Sequence, residues 1–384
     1  MGRMRQSRPV HTRGSGMTTN RECSAGDEAQ REIDAPELPY LPSLPTAYRP
    51  AIAMIGCGGI APYHLRAYQR LGLPVVALCN RTRESAEALR VEFFPEATVY
   101  TDYREVLKRK DIEVVDIATP PDVRTEMIRA AIHAKKHVLS QKPFVTNLDI
   151  GNELVTLANE RGCKLAVNQN GRWAPHFSYM REAIRAGYIG DPLAMHCAVH
   201  WDHNWTVDTA FNEVKHLALY DFAIHWFDMV NCVLGASGAQ QVYASARRGL
   251  NQRAKPALLA QASIEYPDKQ ASVALDGSTP IGAFDSSTVI GTNGSLTSSG
   301  PDLNHQRVVL RTADGVAYPT LTGDWFTNGF EGAMCELLRA IEENREPEHS
   351  ARHNMGSLAL CFAAVASSIS GKPERPWEIR TLPE

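Results

Sequence analysis

The chain has 384 residues, 40 basic and 43 acidic side chains, a net charge of −3 and 43 % apolar residues. That length is more than one ordinary core needs and implies two domains, and the balanced composition excludes a fibrous or largely disordered class. The near-neutral charge excludes a general attraction to nucleic acid or acidic membranes, and no apolar run reaches the roughly 20 residues of a bilayer span.

Residues 1–48 read as a tail. The first part lacks periodic apolar residues and is expected to be disordered, and its arginines are followed by no apolar segment of a secretory signal. The proline-rich end is expected to lie extended along the surface. Ordered structure begins at Ala51 and divides into a first domain, residues 49–170, and a second, residues 171–384, that differ in the rhythm of their segments. Ala51–Ile55 is an apolar run as in a parallel strand buried on both faces. Pro62–Arg70 is helical, Pro74–Cys79 a strand, Arg83–Phe93 a helix and Tyr103–Lys108 a short helix. Val114–Ala118, His137–Ser140 and Lys164–Asn168 read as strands, with Val123–Ala134 and Ile150–Arg161 as helices. Strands alternating with helices predict a Rossmann-type, doubly wound parallel sheet.

After Gly171 the rhythm changes. A helix, Pro175–Ala186, leads to the alternating segments Leu193–Trp201, Gln241–Arg247, Ala260–Tyr266, Gln270–Leu275 and Val308–Thr312. They predict an α+β domain built on a large, mostly antiparallel sheet, with helices at Leu219–Leu234, Phe330–Glu343 and Met355–Ser370. The strands are well supplied with apolar residues, so the outer face of that sheet is expected to pair two copies into a homodimer or a homotetramer. The eight cysteines form no C-x-x-C pair and mostly sit in apolar runs. They read as free thiols of a reducing compartment, hence of a cytoplasmic protein.

Gly56-Cys57-Gly58-Gly59-Ile60-Ala61 spells G-x-G-x-x-A directly after a strand and before a helix. Gly56 permits the turn, Gly58 and Gly59 let the backbone approach a pyrophosphate, and Ala61 allows close helix–strand packing. Ile60 opens the helix, whose N-terminal N–H groups favour anions. NAD sites usually carry an acidic residue at the end of the second strand to bind the ribose. Asn80 and Arg81 stand there instead, which favours NADP over NAD because an arginine can pair with a 2′-phosphate. Asn80 bonding an NAD ribose, with Arg81 stacked on adenine, remains open.

Three further elements follow in order. Thr119 and Pro120 turn the chain after a strand, Gln141-Lys142-Pro143 ends the next strand, and Asp221 and His225 stand one helical turn apart. With Asn170-Gly171-Arg172 between them, this set resembles the Gfo/Idh/MocA family of sugar and polyol oxidoreductases from about Ala51 onward. Its wording is most similar to the branch of aldose oxidases like D-apiose dehydrogenase.

The resemblance implies that Lys142 polarises the reacting hydroxyl and that His225 takes or shuttles its proton. Asp221 then binds substrate or orients the base. Gln141, Asn170 and Arg172 line the nicotinamide and substrate cleft. Two departures stand out. Gln141 replaces the usual glutamate, removing a negative charge beside Lys142, and Arg124 replaces a histidine often found after the Thr-Pro-Pro turn. Each assignment has a plainer alternative: a surface lysine, a core histidine, a structural carboxylate.

The stretch Met195–Trp205 holds three histidines and an aspartate. On a strand His196, His200 and Asp202 face one way and His203 the other, so no metal is expected. Trp201 or Trp205 stacking on a sugar ring, with His203 or Asn204 bonding its hydroxyls, is the preferred reading. The expected activity is hydride transfer from an aldose hydroxyl, giving a lactone, or from a polyol, to NAD(P). An internal-redox enzyme that retains its cofactor on a keto-sugar or glycoside, and a non-catalytic dinucleotide sensor, are the alternatives.

Overall fold

The computed structural model describes residues 31–384, so the disorder expected for the start of the tail and Cys23 lie outside the described residues. The first sheet has six parallel strands: β1 (Ala51–Ile55), β2 (Val75–Cys79), β3 (Thr98–Tyr100), β4 (Ile112–Ile117), β5 (His137–Gln141) and β6 (Leu165–Asn168). They lie in the order β3-β2-β1-β4-β5-β6, the doubly wound order whose switch point falls between β1 and β4. Helices α1 (Ala61–Arg70), α2 (Arg83–Phe93), α3 (Tyr103–Lys108), α4 (Pro121–His133) and α5 (Leu148–Arg161) make the crossovers. Ile52, Ala53 and Met54 are fully buried, because a parallel strand covered by helices on both faces has no solvent side. Local chemistry fixes the helix ends: Asn147 accepts from the N–H groups of Asp149 and Ile150 at the start of α5, and Gly162, left-handed at φ 69°, ends it.

Beyond β6, α6 (Pro175–Arg185) precedes β7 (Pro192–His200), and α7 (Ile224–Leu234) precedes β8 (Gln241–Arg247), β9 (Leu259–Glu265), β10 (Gln270–Asp276), β11 (Phe284–Gly291), β12 (Gly294–Gly300), β13 (Arg307–Thr312) and β14 (Gly315–Ala317). These eight strands form a second sheet in the order β14-β13-β12-β11-β7-β10-β9-β8. All its pairs are antiparallel except β7 with β10. Strands β11 and β12 escape a reading by apolar alternation, because Phe-Asp-Ser-Ser-Thr and Ser-Leu-Thr-Ser-Ser carry hydroxyls on both faces.

The sheet's outer face corrects the expectation of an apolar surface. Alternation turns most of the Val, Leu, Ile and Ala inward and leaves mainly Ser, Thr, Gln and His outward, with Ala198, Tyr243, Ala274, Phe284, Ile290 and Val309 scattered among them.

The chain then returns to the first sheet. Phe330, Met334, Leu337 and Leu338 of α8 (Trp325–Glu342) join Ile52, Met54, Leu65 and Tyr68 in one buried cluster. Helix α9 (Ala351–Ser370) packs against β8, α7 and α5. Residues 31–48 run along both parts. At the edge of the second sheet Ile33 N–H donates to Val316 O and Val316 N–H donates to Arg31 O, and the Glu342 carboxylate accepts from the N–H groups of Thr46, Ala47 and Tyr48 at 2.7–2.9 Å. Among the described residues no helix is long and apolar enough to cross a membrane. Six of the described cysteines are buried, Cys232 is half-buried, and none is in a disulfide.

Candidate active site

The glycine loop lies at the switch point. Gly56 has φ +103°, and a Cβ there would stand 2.8 Å from the carbonyl of Ala118, so glycine is required by both conformation and space. The Ala118 N–H bonds Ile55 O, which brings the turn of Thr119 and Pro120 against the loop. At Gly58 and Gly59 an added Cβ would meet nothing within 4 Å. Among the described residues no acceptor takes the N–H groups of Gly58, Gly59 or Ile60. Open space above free N–H groups at the start of α1 suits the pyrophosphate of a dinucleotide. Asn80 departs from the expected role: its Oδ1 accepts from Cys57 N–H at 3.2 Å and its Nδ2 donates to Thr82 O at 3.0 Å. The amide organises the loop, and exposed Arg81 is left as the group free to meet a phosphate.

Lys142 follows directly on β5. Its Nζ donates to Asp221 Oδ1 at 2.8 Å and to the Asp221 backbone carbonyl at 2.9 Å, and both side chains are about 15 % exposed. This ion pair joins the first sheet to the segment before α7. Asp221 is not on a regular helix with His225, as its spacing implied. It sits in a π turn, Ala218–Phe222, that ends before α7 begins, and Ala223 N–H reaches back five residues to Ala218 O. The wider turn aims the Asp221 carbonyl at Lys142, and such turns recur at functional sites.

His225 is in the same group. Burial and then the Lys142 cation push its imidazolium down to about 3, so the ring is neutral at physiological pH. Its buried Nδ1 has no protein partner, and its ring packs edge-on to Trp325 with centroids 5.5 Å apart. Trp325 Nε1 in turn donates to Asn170 Oδ1 at 3.4 Å. The structure thus brings Lys142, Asp221 and His225 together and places Asn170 behind them.

Other expected residues go elsewhere. Arg172 is 1 % exposed and holds Asp228 through two bonds of 2.6 and 2.7 Å, with a third to Glu348 O at 2.6 Å. A further bond joins Nη2 to His353 Nδ1 at 2.9 Å, so four of its five donors are engaged and the guanidinium acts as a buried brace rather than a cleft-lining cation. The side chain of Gln141 points into a buried network, accepting from Asn168 Nδ2 at 2.9 Å. Asn204 is consumed by its loop, donating to Asp202 Oδ1 and accepting from Arg253 N–H, each at 2.8 Å. Trp201 and His203 stack at 5.3 Å, and His203 and the exposed Trp205 lie 4.6 and 6.3 Å from Phe222, the neighbour of Asp221. These aromatics cluster with Phe222, and Trp201 Nε1 and His203 Nδ1 lack protein partners.

The histidines of β7 are dispersed, His196 to Ser272 Oγ at 2.8 Å and His200 to Asp276 at 3.1 Å. Asp228, Cys232 and His353 cluster more closely, but Arg172 already donates to both Asp228 and His353. A metal ion there would face a guanidinium.

Sequence reasoning missed a chain of buried polar groups behind the site. His64 Nδ1 lies 2.7 Å from Asp116 Oδ2, which also accepts from Tyr68, and Asn168 Nδ2 stands between His64 Nε2 and Gln141 Oε1. The available signal was Asp116, a carboxylate inside an otherwise apolar buried strand, which must find partners.

Comparison with known proteins agrees with this geometry. Residues 51–169 match the model of an oxidoreductase family with an NAD-binding Rossmann fold, and residues 177–297 match the Gfo/Idh/MocA C-terminal domain. A 1,5-anhydro-D-fructose reductase of Ensifer adhaerens is 27 % identical over 83 % of this chain and 96 % of its own. A D-apiose dehydrogenase of Paraburkholderia graminis is 32 % identical, over 37 % of this chain and 38 % of its own. An oxidoreductase of Agrobacterium radiobacter, crystallised with NAD+, L-tartaric acid and magnesium, superposes with a TM-score of 0.75 at 20 % identity, covering 85 % of this chain and 98 % of that one. The chain belongs to the Gfo/Idh/MocA family of oxidoreductases.

Proposed function

We propose that this protein is an NAD(P)-dependent sugar dehydrogenase that oxidises a hydroxyl of an aldose to a lactone, or of a polyol to a ketone. The observation that carries the reading is the Lys142–Asp221 pair, with Nζ 2.8 Å from Oδ1, beside neutral His225 and next to the glycine loop's crevice. Lys142 polarises the substrate oxygen, Asp221 holds the lysine, and His225 Nδ1 accepts a proton or hydrogen bond from the hydroxyl. The bound nicotinamide would supply the hydride acceptor. Trp201, His203 and Trp205 wall the sugar site.

NADP is the preferred cofactor of this reading, supported by exposed Arg81 and the lack of a carboxylate at the end of β2. A homodimer or homotetramer through the outer face of the second sheet belongs to the same proposal, supported only by the exposed side chains of Tyr243, Phe284 and Ile290 that such a contact would cover. A second reading, reduction of a keto-sugar, is favoured by the long match to 1,5-anhydro-D-fructose reductase, and the same ammonium would then donate to a carbonyl oxygen.

The test is reduced-cofactor formation on a panel of aldoses and polyols with NAD and NADP in parallel, and cofactor oxidation on keto-sugars. Turnover of one sugar supports the reading, and no turnover in either direction by cofactor-bound protein overturns it. Sedimentation as a monomer at working concentration removes the dimer.

A further inference from the structure

Arg124 is the most heavily buried cation near Lys142 that the catalytic reading leaves unused. It stands in the first turn of α4 and is 2 % exposed. Among the described residues no carboxylate lies within ion-pair distance of it. Its partners are backbone carbonyls. Nη1 donates to Gln141 O and, at 2.5 Å, to Pro143 O, while Nε and Nη2 donate to Thr119 O at 2.8 and 2.5 Å.

Burying a charge without a counter-ion is costly, and the cost shows in a guanidinium pushed down to about 10 by burial. It remains cationic at neutral pH. The three carbonyls it holds are not arbitrary. Gln141 and Pro143 bracket Lys142: holding Gln141 O fixes the peptide plane that leads into the lysine, and holding Pro143 O fixes the plane that leaves the proline after it. Thr119 ends the turn that leans on Gly56.

We propose that Arg124 is the positioning residue of the active site, a guanidinium clamp that locks the turns after β4 and β5 together and thereby sets where the Lys142 ammonium stands. The planar fork with five donors suits this task, whereas a lysine or a histidine at the same place could not span three carbonyls. The proposal rests on the reading of Lys142 as the group that polarises substrate.

The test uses the full chain and the sugar that wild-type protein turns over. Arg124→Ala is expected to lower kcat about 100-fold, the scale of a displacement near 1 Å, with the sugar KM nearly unchanged. Methylguanidinium at millimolar concentration is expected to restore much of the loss by refilling the clamp. Hydrogen exchange should quicken in the peptides spanning 118–124 and 140–146. An Arg124→Ala variant with wild-type kcat and protection overturns the proposal.

If that variant does not fold, Arg124→Lys decides, since it keeps the charge but not the fork: reduced kcat supports the clamp and wild-type kcat overturns it. If wild-type protein shows no sugar turnover, the dehydrogenase reading fails by itself. Exchange in Arg124→Lys then decides the clamp, faster exchange at both turns supporting it and unchanged exchange overturning it.

Discussion

Lys142 donates to Asp221 twice, once to the carboxylate and once to the backbone carbonyl of the same residue. A side chain tied to both atoms reports on the position of the π turn as well as on its charge. Lys142→Ala is expected to lower kcat roughly 10³-fold, the upper range for removing one preorganised electrostatic group. Cofactor affinity, read by fluorescence titration, should stay within a few-fold. Asp221→Asn keeps the shape and the backbone bond, so a smaller loss of about 10–100-fold is expected. Equal losses in the two variants would show that the lysine's charge is not the main contributor.

Cofactor choice should turn on Arg81. With the Asn80 amide committed to Cys57 N–H and Thr82 O, the exposed guanidinium carries the discrimination. Arg81→Ala is expected to weaken NADP binding by about tenfold or more, the worth of a charged hydrogen bond, and to leave NAD nearly untouched. Calorimetric titration with the two cofactors checks this, and equal losses would place Arg81 on the shared part of the dinucleotide.

Acid stability should reflect buried histidines. Burial pushes His176 down to about 3, and burial foremost takes His225 and His349 to about 3 and His203 and His353 to about 4. Between these values and the ordinary 6.5 the unfolded chain binds protons that the native state refuses. Stability is therefore full above about 6.5 and is lost as pH falls toward 4. Asp285 acts in the opposite sense, because burial raises it to about 7 and the native state binds its proton where the unfolded chain does not. One carboxyl opposes five imidazoles, so the melting temperature should fall from pH 7 to pH 5. A flat profile would contradict the burial of these rings.

Arg172 should betray a structural role. Removing either partner leaves the other as an uncompensated buried charge, so Arg172→Met or Asp228→Leu is expected to cost about 3–5 kcal/mol in urea unfolding. The double variant should recover most of it. A loss of substrate affinity without loss of stability would return Arg172 to the cleft.

Five strands of the first sheet were readable because each contains a short apolar run closed by a turn or a helix start, and the G-x-G-x-x-A loop marks the sheet's ligand edge. Strand β3, with three residues, and the hydroxyl-rich β11 and β12 gave no such pattern. Lys142, Asp221 and His225 were legible from type and order, although the π turn between the last two was not, since it changes hydrogen-bond register without changing apolar spacing. Arg172, Gln141 and Asn204 show the limit of motif reading: the residue type was right for a cleft, but long-range partners, Asp228 for Arg172 and Asn168 for Gln141, decide where a side chain goes.

The return of α8 to the first sheet carries a consequence for biosynthesis. Phe330, Met334, Leu337 and Leu338 close the face formed by Ile52, Met54, Leu65 and Tyr68, so the dinucleotide-binding half waits for a helix made some 160 residues after its last strand. Until then a nascent chain exposes the apolar flank of α1 on the ribosome. A fragment ending near residue 170 is expected to bind a dye such as ANS strongly and to lose it when a peptide spanning 325–342 is added. The order of translation, and not only the order of strands, is written into this fold.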